Sequence, residues 1–241
     1  MIASYAALIV LAVVLAGMTI NACAMGLRSF VALPLDQGGS VLRLFAERND
    51  DANADGLTTE FAYGVRYDQT LILGLPYRLS PAGADRTGDL SLLYRYTAWR
   101  EDRPDGTSRL GLLGGAVLAT DAARDHRAQA GAVVTFYRNR HEWDLDFLWI
   151  DGLGKTPDAA RYDVSWQYRL SPAVYPAWGI GSQWNAVLEL GGRWGRGDAV
   201  THQATVGGQY VQRQWVAEGG VVRDINDPHE TRYIVSIRWH L

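Results

Sequence analysis

Apolar and polar residues alternate along the chain from position 40 to the C terminus, in segments of about ten residues. In residues 161–170, for example, Tyr162, Val164 and Trp166 share one face, and the intervening residues are charged or polar. An α-helix would scatter these residues around its axis, because its side chains repeat about every 3.6 residues. The pattern therefore predicts β-strands with one apolar and one polar face.

The alternation predicts about twelve strands. They are residues 40–48, 58–67, 69–79, 89–99, 109–118, 128–138, 142–151, 161–170, 184–194, 201–212, 215–223 and 231–241. A strand of about ten residues rises about 34 Å, and a tilt of about 40° reduces this to the roughly 25 Å apolar band of an outer-membrane barrel. We therefore predict an all-β fold, an up-and-down antiparallel transmembrane β-barrel in a Gram-negative outer membrane. Closure of the barrel would leave no unpaired strand edge in lipid.

The lengths of the connections support a membrane barrel and indicate which of its ends faces the periplasm. Tight turns follow the second, sixth and tenth strands, whereas acidic or Pro/Gly-containing connections such as residues 49–56 and 224–230 follow the odd-numbered strands. Outer-membrane barrels have short periplasmic turns and longer outer loops, and an even strand number places both termini in the periplasm. Two predicted periplasmic connections, residues 100–108 and 171–183, are long and break the pattern. Pro76 predicts a bulge or a strand end near the outer rim.

A soluble β-sandwich or lipocalin-like barrel is the structural alternative, because alternation does not say which face is inside. The soluble fold predicts that the aromatic face is a packed interior. The membrane barrel predicts that this face contacts lipid.

The N-terminal region has the features of an export signal. Its apolar run, residues 6–17, is shorter than the roughly 20 residues that a membrane-spanning helix needs. Cleavage after Ala24 would follow a small-x-small triplet, although no Lys or Arg precedes the run. We therefore predict a signal peptide at residues 1–24 and the barrel at residues 25–241. The alternatives are a retained N-terminal anchor or a lipidated Cys23, the only cysteine of the sequence.

Composition narrows the classes of partner. The sequence has 26 Gly, 9 Trp and 12 Tyr, a combination that suits closed antiparallel barrels. A formal net charge of -3 without a basic region gives no electrostatic basis for nucleic-acid binding, and no nucleic-acid partner is expected. The five histidines show no metal-ligand spacing, so neither a metal nor a cofactor is predicted.

The polar face, which would line the barrel lumen, contains the candidate functional residues. Charges of both signs in a confined interior are expected to form ion pairs, because an unpaired buried charge is costly. The alternative is a polar constriction that orients a passing solute, as rings of charge do in pores. The candidates for ion pairing or solute lining are Glu60, Arg66, Arg78, Asp89, Arg95, Glu142, Asp144, Asp146, Arg161, Asp163, Arg169, Glu189, Arg193, Glu218, Arg232 and Arg238, with Arg43 and Glu47 on the same face.

One strand has an acidic stripe, Glu142, Asp144 and Asp146. This stripe is a candidate cation site. We expect instead that Arg161 and Arg169 on the next strand neutralise it.

Two stretches resemble the protein family named for the meta-pathway of phenol degradation, whose members are predicted outer-membrane transporters. These stretches are residues 60–77, EFAYGVRYDQTLILGLPY, and residues 87–96, TGDLSLLYRY. The chain departs from the family at residues 119–121, Ala-Thr-Asp in place of Pro-Thr-Gly, and it ends in Leu241 where such barrels usually end in Phe. The resemblance implies uptake of aromatic or other hydrophobic small molecules.

The predicted function is an outer-membrane channel for a small hydrophobic or aromatic solute. Its expected partners are outer-membrane lipid, the solute and the barrel-assembly machinery. One alternative is a barrel that only anchors or scaffolds. Another is a lipid hydrolase that uses His202 with Ser165 or Ser236, but an enzyme is not expected, because no cluster of nucleophile, base and orienting group is evident.

Overall fold

The computed structural model describes residues 26–83, 86–153, 156–171 and 182–241. The chain forms a closed barrel in which every strand pairs antiparallel with its sequence neighbours and β1 pairs with β12. The strands are β1 Ser40–Asn49, β2 Ala54–Arg66, β3 Gln69–Ser80, β4 Leu90–Arg103, β5 Gly106–Leu118, β6 Arg127–Arg138, β7 His141–Gly152, β8 Ala159–Arg169, β9 Gln183–Gly195, β10 Thr201–Val211, β11 Trp215–Asp224 and β12 Thr231–His240. The predicted twelve-stranded antiparallel barrel is confirmed. The predicted signal peptide lies outside the described residues.

The two ends of the barrel differ in their connections. Only two residues separate β2 from β3 and β6 from β7, at the end of the barrel where β1 begins and β12 ends. We call this end the periplasmic end and the opposite one the outer end. In the part of the chain that the structure describes, no helix is long and apolar enough to cross a membrane.

The two faces of the wall are inverted relative to a soluble protein. Large apolar side chains point outward, with exposed fractions of 45% for Trp143, 49% for Phe147 and 65% for Val235. Charged side chains point inward, and Asp144 and Arg238 are both 0% exposed. The soluble alternative is therefore wrong, and the outer face is suited to contact with lipid.

One predicted periplasmic connection is instead an extended hairpin. β4 continues to Arg103 and β5 starts at Gly106, so residues 100–108 are mostly strand. Asp102 holds the hairpin together by accepting hydrogen bonds from Thr107 Oγ1 at 2.7 Å and from Arg109 Nη2 at 2.6 Å. The alternation did not reveal this extension, because charged residues follow one another there without an apolar face. Most of the other long connection, residues 172–181, lies outside the described residues.

Pro76 interrupts the ladder on one side only. β3 pairs with β2 along its length, including Pro76 with Thr58, but the pairing with β4 ends at Gly74 and Ser91. Pro76 has no N–H to donate to β4, and its carbonyl accepts a hydrogen bond from Gly88 N at 2.8 Å. β3 continues to Ser80, so Pro76 does not end the strand, but continuous pairing with β4 stops before it.

A charged residue introduced on the lipid-facing side of the wall gives a direct test of lipid contact. Val206 lies in the middle of β10 and is 60% exposed. We expect Val206→Arg to lower the free energy of unfolding by about 2–4 kcal/mol, because an arginine at the bilayer midplane loses its hydration. The measurement is a urea titration of the protein folded in lipid vesicles. Val206→Leu is the control, and an arginine variant as stable as this control would contradict lipid contact at position 206.

Candidate functional site

The lumen contains the N-terminal segment of the chain. We call residues 26–39 the inner segment. It lies inside the barrel, where Leu27, Val31 and Ala32 are at most 4% exposed, and it joins the start of β1 at the periplasmic end. The segment enters past Gly64, which has no side chain, and a Cβ there would come within 2.1 Å of Asp36 O. The lumen is therefore partly filled by the protein itself.

One side of the lumen binds the backbone N–H groups of the inner segment. Glu189 accepts hydrogen bonds from Arg28 N at 3.1 Å and from the Ser29 hydroxyl at 3.3 Å. Asp146 Oδ2 accepts a hydrogen bond from Phe30 N at 2.8 Å. The inner segment has no strand neighbour for these N–H groups, and acidic side chains on β7 and β9 provide the acceptors instead.

Arginines on β1 and β4 bind the carbonyl groups of the same segment. Arg43 Nη2 donates to Leu27 O at 2.6 Å. Arg95 donates to Val31 O, to Leu33 O at 2.8 Å and to Thr70 Oγ1 at 3.0 Å. Acidic residues thus bind the donors of the segment, and arginines bind its acceptors.

Apolar side chains of the inner segment complete two small cores inside the barrel. Ala32 belongs to one with Leu93 and Val133, and Leu27 belongs to the other with Val187 and Val222. The second core needs glycines in the wall, because a Cβ at Gly207 would lie 2.5 Å and one at Gly220 2.9 Å from Leu27 Cδ1.

A buried ion cluster lies beside the segment. Glu218 contacts Arg43 Nη2 at 3.2 Å and Arg238 Nε at 3.0 Å, and the three side chains are at most 8% exposed. Ser236 and Gln209 donate further hydrogen bonds to Glu218, at 2.5 Å and 3.1 Å. One carboxylate therefore binds two arginines of the lumen.

The predicted lumen residues fall into three groups. Arg66 and Arg78 are exposed at the periplasmic and outer ends, and a register shift between Gly64 and Arg66 explains why alternation placed Arg66 inside. The partly buried group is Glu60, Asp89, Arg161, Arg169, Arg193 and Arg232. The buried group is Arg95, Glu142, Asp144, Asp146, Asp163, Glu189, Glu218 and Arg238.

Ion pairs join several of these residues toward the outer end. Asp163 binds Arg193 at 2.9 Å, and Arg232 binds Asp224 at 2.8 Å. Asp89 lies 3.2 Å from Arg124, a residue of the connection between β5 and β6. Ion pairs therefore join several charged side chains of the lumen.

The acidic stripe on β7 has other partners than expected. Asp144 accepts hydrogen bonds from Thr135 Oγ1 at 2.5 Å and from Gln167 Nε2 at 3.1 Å. Arg161 contacts Asp163 at 3.8 Å, and Arg169 donates to Asn139 O at 3.1 Å. Among the described residues neither arginine forms an ion pair with the stripe, because Arg169 lies at the periplasmic rim and Arg161 lies beside the ring of Phe30 and nearest to Asp163. Among the described residues no group of three or more His, Cys, Asp or Glu is placed to hold a metal ion.

A cavity remains between the inner segment and the wall. Its volume is about 160 Å³. Apolar side chains form much of its surface, including Phe30, Val31 and Leu35 of the segment and Val41 and Ile72 of the wall. Its charged and polar lining is Arg28, Ser29, Asp36, Arg43, Glu60, Arg95, Arg161, Arg238 and His240.

Solved structures match the chain in fold. The NanC porin is 9% identical, with 83% of this chain and 100% of that chain covered and a TM-score of 0.56. An outer-membrane channel from Pseudomonas putida F1 is 14% identical, covering 87% and 98%, with a TM-score of 0.54. LpxR from Salmonella typhimurium is 11% identical, covering 83% and 99%, with a TM-score of 0.50. The chain has the fold of an outer-membrane, porin-like barrel.

No protein-family model matches the chain, and no curated protein sequence is similar to it. At identities of 9% to 14% the structural matches show the fold alone. Membership of the phenol-degradation family therefore stays a prediction.

Sequence reasoning missed the inner segment. Residues 26–39 precede the first alternating stretch, and we predicted them only as part of the barrel region. The available signal was the apolar run from Phe30 to Leu35 with Pro34, followed by two glycines at positions 38 and 39. That composition fits neither a regular strand nor a solvated tail, but it does not show that the run is inside the barrel.

Proposed function

We propose that this protein is an outer-membrane channel for small hydrophobic or aromatic solutes, with its inner segment as a movable part of the pore. The observation that carries the proposal is the cavity of about 160 Å³ in the lumen. An engineered apolar cavity of about 150 Å³ binds benzene, so the volume is that of one aromatic ring. Residues 60–77 and 87–96, which resemble the phenol-degradation family, support the same class of solute.

The proposed channel requires export of the chain and its insertion into the outer membrane. Export would remove residues 1–24, and the barrel-assembly machinery would insert the rest. The inner segment would then be the N terminus of the mature chain, held in the lumen by hydrogen bonds without a covalent link at that end. A solute that exceeds the cavity requires the segment to shift.

Flux measurements on the purified protein test the channel function. We expect discrete conductance steps in planar bilayers and faster phenol uptake into vesicles with a lipopolysaccharide outer leaflet. Sucrose, which is larger than the cavity, should cross at the rate of protein-free vesicles. Absence of both conductance and solute flux would favour the anchor or scaffold function instead.

The positions of the candidate residues argue against a lipid hydrolase. His202 is exposed on the outer face, where its Nδ1 lies 2.7 Å from the hydroxyl of Tyr162. Ser165 and Ser236 are 0% and 5% exposed, on the lumen side of the same wall. A nucleophile and its base must be within hydrogen-bond reach, and opposite faces of a sheet do not allow this. We therefore propose that the protein is not an enzyme, and that His202→Ala leaves its flux unchanged.

A further inference from the structure

We infer that the lumen cavity binds a single-ring aromatic carboxylate, with the ring among the apolar side chains and the carboxylate at Arg238 and His240. This inference deepens the proposed channel function by naming its substrate class. It rests on the volume and lining of the cavity, on the charges around it and on hydrogen-bonding groups that the protein leaves unused.

The apolar part of the cavity is suited to a ring. Phe30, Val31 and Leu35 contribute from the inner segment, and Val41 and Ile72 contribute from β1 and β3. The guanidinium of Arg161 lies 4.2 Å from the centre of the Phe30 ring. An apolar ring is favoured here over a hydrated solute, because these side chains offer dispersion contacts and no hydrogen bonds.

The charged part of the cavity favours an anion. Five arginines line it, Arg28, Arg43, Arg95, Arg161 and Arg238, against the two carboxylates of Asp36 and Glu60. Arg95 is 4% exposed, and no carboxylate of the described residues is within ion-pair distance of it. Its guanidinium is bound by neutral oxygens of the inner segment and Thr70. Glu47, Glu218 and Asp163 pair with the other four arginines, so Arg95 is the positive charge of the lining that no carboxylate of the described residues offsets.

Two buried side chains of β12 leave hydrogen-bonding capacity unused. Arg238 is 0% exposed, and its Nη1 has no hydrogen-bond partner in the described part of the chain. His240 is 6% exposed, and within the same residues neither ring nitrogen has a partner. Buried polar groups are usually hydrogen-bonded, so each exception needs an explanation.

A carboxylate would supply an acceptor for Arg238 Nη1 and for one ring nitrogen of His240. Arg238 and His240 are two residues apart on one strand, so their side chains share the lumen face, and both line the cavity. One carboxylate oxygen can accept from the guanidinium and the other from an imidazole N–H, which gives charge-assisted hydrogen bonds. A neutral aromatic hydrocarbon would leave these groups unpaired.

Binding of 4-fluorobenzoate to the full-length protein in detergent, followed by fluorine NMR, tests the inference. We expect saturable binding at one site. The matched probes are 4-fluorobenzamide, which has the ring without the charge, and fluoroacetate, which has the charge without the ring. Both are expected to bind at least about tenfold more weakly, because each lacks one of the two interactions.

Two variants locate the site. We expect His240→Leu to weaken binding of 4-fluorobenzoate about tenfold, the size of one hydrogen bond to a charged group. Arg238→Gln should weaken the binding of 4-fluorobenzoate further. If Arg238→Gln misfolds, His240→Leu alone still tests the site. His202→Leu on the lipid face is the control and should bind as the unmodified protein does. Equal affinity for benzoate and benzamide, or wild-type affinity in His240→Leu, would overturn the inference.

Failure of this inference and failure of the channel function are distinguishable. If phenol flux is present but 4-fluorobenzoate shows no saturable binding, the carboxylate site is wrong and the channel stands. If 4-fluorobenzoate binds at one site without conductance or flux, the site stands and the channel is wrong.

Discussion

Deletion of residues 26–35 is expected to raise the single-channel conductance several-fold. The deletion removes the part of the inner segment that lies between the acidic side chains of β7 and β9 and the arginines of β1 and β4. Its space would fill with water and ions, because a twelve-stranded wall encloses a lumen wider than its own side chains fill. The measurement is conductance in planar bilayers at equal protein insertion.

The wall should remain folded in this variant. All twelve strand pairings are made by the wall itself, and none uses the inner segment. Arg43 keeps Glu218 and Glu60 as partners, and Arg95 becomes accessible to water. Leu27→Gln is a milder companion variant, since it retains the segment but disturbs its packing against Val187 and Val222. Unchanged conductance in a folded deletion variant would show that ions do not pass through the space of the segment.

The sequence predicts the wall well because the wall follows a local rule. In residues 161–170 successive side chains point alternately to lipid and to the lumen, so the polarity of each residue indicates which of the two it faces. The predicted and observed strands differ where contact with lipid ends. The end of the β4–β5 hairpin is a run of charges, and Arg66 follows a register shift at the rim. At both places the apolar face, on which the prediction depends, is absent.

The contents of the lumen are not predictable in the same way. The bond from Phe30 to Asp146 joins residues 116 positions apart, and that from Arg28 to Glu189 joins residues 161 apart. No periodicity encodes such pairs, because they depend on where the inner segment folds back. The sequence could therefore identify Asp146 and Glu189 as inward carboxylates, but it could not show that they bind backbone N–H groups.

The second large effect is expected at Glu218. Replacing Glu218 by Gln keeps the shape of the side chain but removes the charge that binds Arg43 and Arg238. In the described structure Arg238 has no other carboxylate within ion-pair distance, and it is 0% exposed. Loss of one member of a buried ion pair costs about 3–5 kcal/mol, because the remaining charge is neither hydrated nor paired. We expect a decrease of this size in the free energy of unfolding, measured by urea titration in vesicles.

Two comparisons separate this effect from a general loss of charge. Asp55→Asn breaks a contact with Arg48 at the outer end, where the side chains are 32% and 46% exposed, and should cost less than about 1 kcal/mol. Replacing both Glu218 and Arg238 by Met should recover much of the lost stability, since a buried pair can be exchanged for apolar residues at little cost. A Glu218→Gln variant no less stable than Asp55→Asn would mean that water reaches Arg238. The lumen would then be wetter than its closely packed wall and inner segment imply.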